Sequence, residues 1–480
     1  MSEHVDVLII GAGLSGIGAA AQLSREHPGR SYLVLESRAA SGGTWDLFRY
    51  PGVRSDSDMY TLGYRFKPWT GEKSLADGAA ILDYVRETAR EYAVDQRILF
   101  EHRVVRAEWD TDTARWTVTA ETPDGTRELT ADFLWACSGY YDYEQGFTPT
   151  FADQESFSGE VIHPQHWPEG FDPTGKKVVV IGSGATAVTL VPALAKGGAE
   201  QVTMLQRSPT YILSLPAVDK IASWLRRRLP EKAAYRVVRW KNIGAATALY
   251  QFCQAQPRLA RRMIRGENLK RLPKSVDVDT HFKPRYDPWD QRLCLVPDSD
   301  LFKELRSGRA EVVTDTIERF TPSGLRLGSG RELEADVVVT ATGLNLKAFG
   351  GAEFVVDGEK VDLSDSISYR ALMLSGLPNF AFTIGYTNAS WTLKADLVAE
   401  YVCRLLAHMD AHGYRAVVPV PPEGLGREPF MDFSAGYVLR SIDDLPRQGD
   451  KEPWRLRQNY LHDVRTIRRS RIDDTALAFS

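Results

Sequence analysis

Twice along this chain a short apolar run ends in a glycine turn, passes into an Ala-rich helical pattern, and returns as a second apolar run. The first copy runs from Val5 through Ile10 to Gly11, continues to about Glu26, and resumes at Tyr32 to Leu35 with Glu36 closing it. The second starts at Lys177, turns at Gly182, continues to Leu194, and resumes from Gln201 to Leu205 ahead of Arg207. A strand, a tight turn and a helix within about 30 residues form a parallel βαβ unit, so the chain must build two such sheets. That duplication sets the expected class: α/β, with two dinucleotide-binding, Rossmann-like domains.

Each turn has its own chemistry. In Gly11-Ala12-Gly13-Leu14-Ser15-Gly16, Gly11 permits the turn, Gly13 lets backbone approach a pyrophosphate, and Gly16 lets helix and strand pack closely. Ser15 stands at the helix start, whose partial positive charge faces the phosphates. Glu36 is placed to accept hydrogen bonds from ribose hydroxyls and to repel a 2'-phosphate, which selects FAD or NAD over NADP. Gly42-Gly43-Thr44-Trp45-Asp46-Leu47 follows, a segment able to fold against a second ring system; Thr44, Trp45, Asp46 and Leu47 are therefore cofactor candidates. With Ala341-Thr342-Gly343, a small-residue passage of the kind seen where a chain returns to a flavin domain, this favours FAD.

The second turn, Gly182-Ser183-Gly184-Ala185-Thr186-Ala187, replaces the third glycine by alanine, and Val188 and Thr189 continue its helix. Where a carboxylate would mark an NAD site stand Arg207 and Ser208, a guanidinium fork beside a hydroxyl. That pair suits the 2'-phosphate of NADPH.

The length of 480 residues calls for two or three packed domains. We expect residues 1–145 and 335–480 to form the FAD domain, 146–215 and 286–334 the NADPH domain, and 216–285 a helical insertion in the latter. The insertion mixes Arg226, Arg227, Arg228, Arg261 and Arg262 with Trp224, Tyr235 and Trp240, the composition either of an interfacial membrane helix or of a solvated helical face. Val418 to Glu423 reads as a surface loop, and the basic tail from Trp454 as a helix packed outside. A net charge of −4 argues against nucleic acid as a partner. Four scattered cysteines show neither a redox pair nor metal-ligand spacing, so no metal is expected. The N-terminus lacks a secretion-signal layout and no apolar run spans a bilayer, so the expected location is cytoplasmic, with peripheral membrane contact through the insertion left open.

Between the two turns, Phe157-Ser158-Gly159-Glu160-Val161-Ile162-His163-Pro164-Gln165-His166-Trp167-Pro168 reads as FxGxxxHxxxWP. This resembles the fingerprint of Baeyer-Villiger monooxygenases, a branch of the flavin-containing monooxygenases. Gly43 to Gly52, Asp56 to Tyr60 and Trp289 to Cys294 also resemble members of that family. The resemblance implies NADPH, O2 and FAD acting through a flavin peroxide on a small ketone, giving esters or lactones, with sulfides and thioamides as further substrates. It implies that Arg292 is the cation stabilising developing negative charge, a contact worth about 3 kcal/mol in a dry site. It further implies that Asp56, in the Arg54-Ser55-Asp56 segment, positions that arginine and touches both cofactors, and that Val104 meets the adenine. His163 reads as an anchor for the linker between domains. Asn388 and Trp391 stand for either the substrate side or the core.

Other readings share the two turns. An N- or S-oxygenating flavin monooxygenase without ketone activity differs in the WP ending of the fingerprint and in Arg292; a cofactor-binding protein without turnover keeps both folds. A disulfide reductase needs two neighbouring thiols, which the cysteine spacing does not supply.

Overall fold

The computed structural model describes residues 3–291, 293–431 and 436–480. Strand Glu3–Ile10 pairs in parallel with Tyr32–Leu35 on one side and with Gly125–Ala136 on the other; Ile98–Leu99 and Phe380–Phe382 extend this parallel set. The core strands read as continuous apolar runs because both faces are covered. Helices Leu14–Glu26 and Trp391–His412 pack on one face with Val7, Ile9 and Trp135; Trp109, Trp116, Phe349 and Phe380 fill the other with Leu8 and Ile10. The first half of Gly125–Ala136 continues as an antiparallel meander with Arg115–Thr122 and Arg103–Asp110.

The second sheet is all parallel, in the order Ala310–Thr314, Gln201–Gln206, Lys177–Ile181, Val337–Thr340, Glu160–Ile162. This corrects the expected boundary at residue 335: Val337 pairs with Val178 and Glu160, so this strand completes the second domain before the chain returns. A short valine-rich run signals a buried parallel strand but does not say which sheet it joins. Two segments cross between the sheets, Tyr141–Gly146 and Leu344–Leu346, and they pair antiparallel.

The insertion forms helices Lys220–Arg226, Glu231–Ala255 and Pro257–Arg271, and it is not confined to the second domain. Tyr235, Val238 and Ile243 belong to the same core as Ile9 and Leu397, whereas Ile264 packs with Tyr211 and Leu293. It therefore straps the two domains together. The tail also departs from expectation. Trp454, Tyr460, Ile467 and Leu477 enter the first core, and Leu477–Phe479 pairs with Val417–Pro419, which makes part of the expected loop a strand. No helix among the described residues is long and apolar enough to cross a membrane.

Candidate cofactor and active site

The first turn is fixed by close backbone contact. Gly11 takes φ +99°, and a Cβ on it would lie 2.8 Å from the Cys137 carbonyl oxygen. A Cβ on Gly16 would lie 1.8 Å from the Gly11 oxygen, the tight helix-to-strand approach that only glycine allows. Gly43, at φ +56°, brings a second stretch of backbone against Gly13. Helix Leu14–Glu26 begins at Gly13 with no side-chain cap, so its first N–H groups stay available to an anion. Glu36 is buried; it accepts from the Ala12 N–H at 2.7 Å and the Arg38 N–H at 3.0 Å, and burial pushes its carboxyl above the usual range.

In front of this turn lies a cavity of about 540 Å3, and both domains line it. Gly11, Gly13, Ser15, Glu36, Thr44, Trp45 and Val104 form the first domain's share, with Arg54, Ser55 and Asp56 at the seam. Ala185, Thr186 and Thr189 come from the second glycine turn's helix. Two polar atoms on this wall are buried without a hydrogen-bond partner, Arg54 Nη2 and Ser138 Oγ. The other side of the Arg54 guanidinium pairs with Asp300 at 2.7 Å, across the domain boundary. A buried donor without a partner costs about 1 to 3 kcal/mol unless a ligand meets it. The wall thus offers open helix N–H groups, a buried acceptor and two unmet polar groups, which fits a phosphate-linked cofactor.

Tyr50 joins the halves at the cavity wall. Burial pushes its phenol up to about 12, so it stays protonated, and its hydroxyl shares a hydrogen bond with Thr186. Nearby, a Cβ on Gly52 would stand 2.8 Å from Ala193 Cβ and 3.1 Å from the Thr189 oxygen, so this loop lies directly on the second domain's helix.

Residues 9–67 match the model of an NAD(P)-binding Rossmann-like domain, and residues 74–221 match that of flavin-binding monooxygenase-like proteins. The whole chain is 58% identical to the FAD-containing monooxygenase EthA of Mycobacterium tuberculosis, covering 98% of it, and 54% identical to EthA of Mycolicibacterium smegmatis, again covering 98%. The chain belongs to the FAD-containing monooxygenases. Among solved structures it is similar to an oxidised steroid monooxygenase bound to NADP, with a TM-score of 0.73 and 25% identity over 87% of this chain and 88% of that one. Cyclohexanone monooxygenase shares the fold, with a TM-score of 0.74 and 22% identity over 88% and 90% of the two chains.

The structure of this monooxygenase separates the residues expected from sequence. Asp46 does not face the cavity: its carboxylate, 2% exposed, is held by Arg38 at 2.7 Å, Arg86 at 2.8 Å and Arg49 at 3.2 Å, which makes it a clamp for the loop carrying Thr44 and Trp45. Leu47 packs on the second domain's core. Gly16, Ala187 and Val188 serve packing behind their turns. Gly182, Ser183, Gly184, Arg207 and Ser208 stand together at the second turn, outside the cavity wall. There the Ser183 hydroxyl donates to the Ser208 carbonyl at 3.1 Å, and Arg207 is exposed with no ion pair among the described residues. Arg292 lies outside the described residues; the strand Cys294–Pro297 that follows places Leu295 on the cavity wall.

Ala341-Thr342-Gly343 belongs to the second turn, since a Cβ on Gly182 would meet the Ala341 oxygen at 2.3 Å. Its counterpart in the first domain is Cys137-Ser138-Gly139, which is not among the residues expected from sequence and which supplies the unmet Ser138 hydroxyl. The signal was present: both passages are small residues closing an apolar strand. Tyr143, whose hydroxyl lies 3.2 Å from Thr44 Oγ1, was missed as well, because nothing local distinguishes it from a core tyrosine.

His163 sits where the two crossing segments meet. Its Nδ1 accepts from the Gln165 N–H at 3.2 Å, so Nε2 carries the proton that faces the Gly343 oxygen at 3.3 Å. Burial holds its pKa below the usual value, which keeps the ring neutral, and a Cβ on Gly146 would overlap the ring at 2.0 Å. Trp391 lines the cavity and donates its indole N–H to Ser15 Oγ at 2.7 Å, whereas Asn388 is turned to the Gln458 carbonyl at 2.8 Å.

Proposed function

We propose that this chain is an NADPH- and O2-dependent flavin monooxygenase that converts ketones to esters or lactones and also oxidises sulfur in sulfides and thioamides. The observation that carries the reading is the single cavity lined both by the first glycine turn and by the helix of the second. FAD, when bound, supplies the chemistry that passes two electrons from the nicotinamide coenzyme to dioxygen. Gly13, Gly43 and the uncapped start of helix Leu14–Glu26 would hold its pyrophosphate, Glu36 its ribose hydroxyls, and Val104 the adenine edge.

Ser138 and Arg54 would meet polar groups of the bound cofactors with the atoms that lack partners here. Arg54 also fixes the seam through Asp300, so the site's electrostatics depend on both domains being seated. Asp56 stands on the same wall, and we assign it the positioning of Arg292 on the strength of the family resemblance. Arg292 would stabilise the negative charge that develops on the attacking oxygen and on the carbonyl oxygen.

Incubating purified protein with NADPH and a panel of linear, cyclic and aryl ketones under isotopically labelled dioxygen tests the reading. Each accepted ketone should gain one labelled oxygen as an ester or lactone. Ketones returned unchanged, while sulfides or amines offered beside them gain the labelled oxygen as S- or N-oxides, would replace ketone oxidation by the rival activity.

Coenzyme choice is tested at Arg207. Arg207→Gln removes the charge facing the proposed 2'-phosphate; one charge-assisted contact contributes about 1.5 to 3 kcal/mol, so KM for NADPH should rise roughly 10- to 150-fold while KM for NADH stays put. An unchanged NADPH KM would move the phosphate site elsewhere.

A further inference from the structure

Soluble helices turn charge outward, but the second half of helix Glu231–Ala255 has none to turn. Its exposed positions Gly244, Ala245, Ala246, Ala248 and Leu249 carry no charged side chain. Nine of the fourteen exposed large hydrophobic residues among those described fall between Ile221 and Leu269, so the exposed apolar surface is concentrated on the insertion. Trp240 is 45% exposed, Leu259 47% and Met263 56%, and the last two are one turn apart on helix Pro257–Arg271.

The same stretch is strongly basic. From Lys220 to Lys274 there are fifteen Lys and Arg against two Glu, a net +13 in a chain whose total is −4. Several of these cations are already used: Arg239 and Lys241 are ion-paired, and Arg226 holds the Gly71 carbonyl. Arg227, Lys232, Arg236, Arg258 and Arg262 are exposed and have no acidic partner among the described residues. Arg228 is also exposed, and its guanidinium stacks 4.3 Å over the Trp224 ring.

We propose that this face docks on an anionic phospholipid bilayer, with the apolar side chains entering the headgroup boundary and the unpaired arginines and lysines meeting lipid phosphates. A second copy of the chain is the poorer occupant, because symmetric pairing would set +13 against +13. The insertion is braced on both cores, so the face is a fixed feature of the folded protein.

Sedimentation of the full flavin-loaded protein with vesicles tests this. We expect at least about tenfold stronger partition onto vesicles of equal parts phosphatidylglycerol and phosphatidylcholine than onto phosphatidylcholine alone. Arg227→Gln/Arg228→Gln/Lys232→Gln/Arg236→Gln should lower that partition on the order of a hundredfold, and so should high salt. Val237 is 47% exposed on helix Glu231–Ala255, and Val237→Ser/Leu259→Ser/Met263→Ser should lower the partition roughly tenfold or more. Both variants should keep the flavin and turnover of a water-soluble ketone, which shows that they fold. The proposal fails if neither vesicle binds the protein, if both bind it equally, or if neither variant loosens it. It fails too if the serine variant only changes the oligomeric state.

Discussion

Arg239→Met should destabilise the protein by about 3 to 5 kcal/mol, the cost of leaving a buried charge without its partner. Arg239 reaches from helix Glu231–Ala255 into the first domain, donating to the Tyr60 carbonyl at 2.8 Å, the Gly63 carbonyl at 2.6 Å and Asp396 at 2.6 Å, with both side chains 6% exposed. Methionine fills much of the volume but strands the carboxylate and the carbonyls. Burial pushes the Asp396 carboxyl up to about 6, and Arg239 opposes that rise. Without the arginine the carboxyl rises further. A folded-state pKa above the unfolded one costs stability as pH increases between them, so the deficit should be larger near about pH 8 than near about pH 5. Adding Asp396→Asn should return part of the loss and flatten the pH dependence. Thermal unfolding of the three proteins at both pH values checks this, and equal midpoints would remove Arg239 from the account of how the insertion is held.

Gly16→Ala should produce a protein that loses flavin on gel filtration far more readily than the parent. The new methyl carbon would lie 1.8 Å from the Gly11 carbonyl oxygen and 3.0 Å from its carbon, both parts of the backbone and unable to swing aside. Overpacking of this kind costs about 1 to 3 kcal/mol, and here relief comes from separating helix Leu14–Glu26 from its strand, which also displaces the N–H groups proposed to face the pyrophosphate. A loss of that size is roughly 5- to 150-fold in cofactor affinity. Gly29→Ala is the matched control: its added carbon meets nothing within 4 Å. The ratio of flavin to protein absorbance after gel filtration distinguishes them, and a Gly16→Ala protein as yellow as the Gly29→Ala one would contradict the packing argument.

What could be read along the chain was whatever neighbouring residues encode. Gly11, Gly13 and Gly16 ahead of Glu36, and Gly182 and Gly184 ahead of Arg207, specify turn, helix start and the charge at the next strand's end within about 30 residues. The two βαβ units and the chemistry proposed for each turn follow from that local code, and the fold carries both units where the pattern set them.

Tertiary structure decided everything that depends on which surfaces meet across hundreds of residues. Val337–Thr340 joined the second sheet because its hydrogen bonds go to Lys177–Ile181 and Glu160–Ile162, a choice invisible in four apolar residues. Asp46 left the cavity because three arginines converge on its carboxylate, and Ser138 entered it because its strand ends beside Gly11. The insertion became a strap rather than an appendage once Arg239 found carbonyls and a carboxylate in the other domain. Periodicity and turn chemistry act over a few residues, whereas partners for buried polar groups are chosen by packing, and packing is settled only when the whole chain has closed on itself.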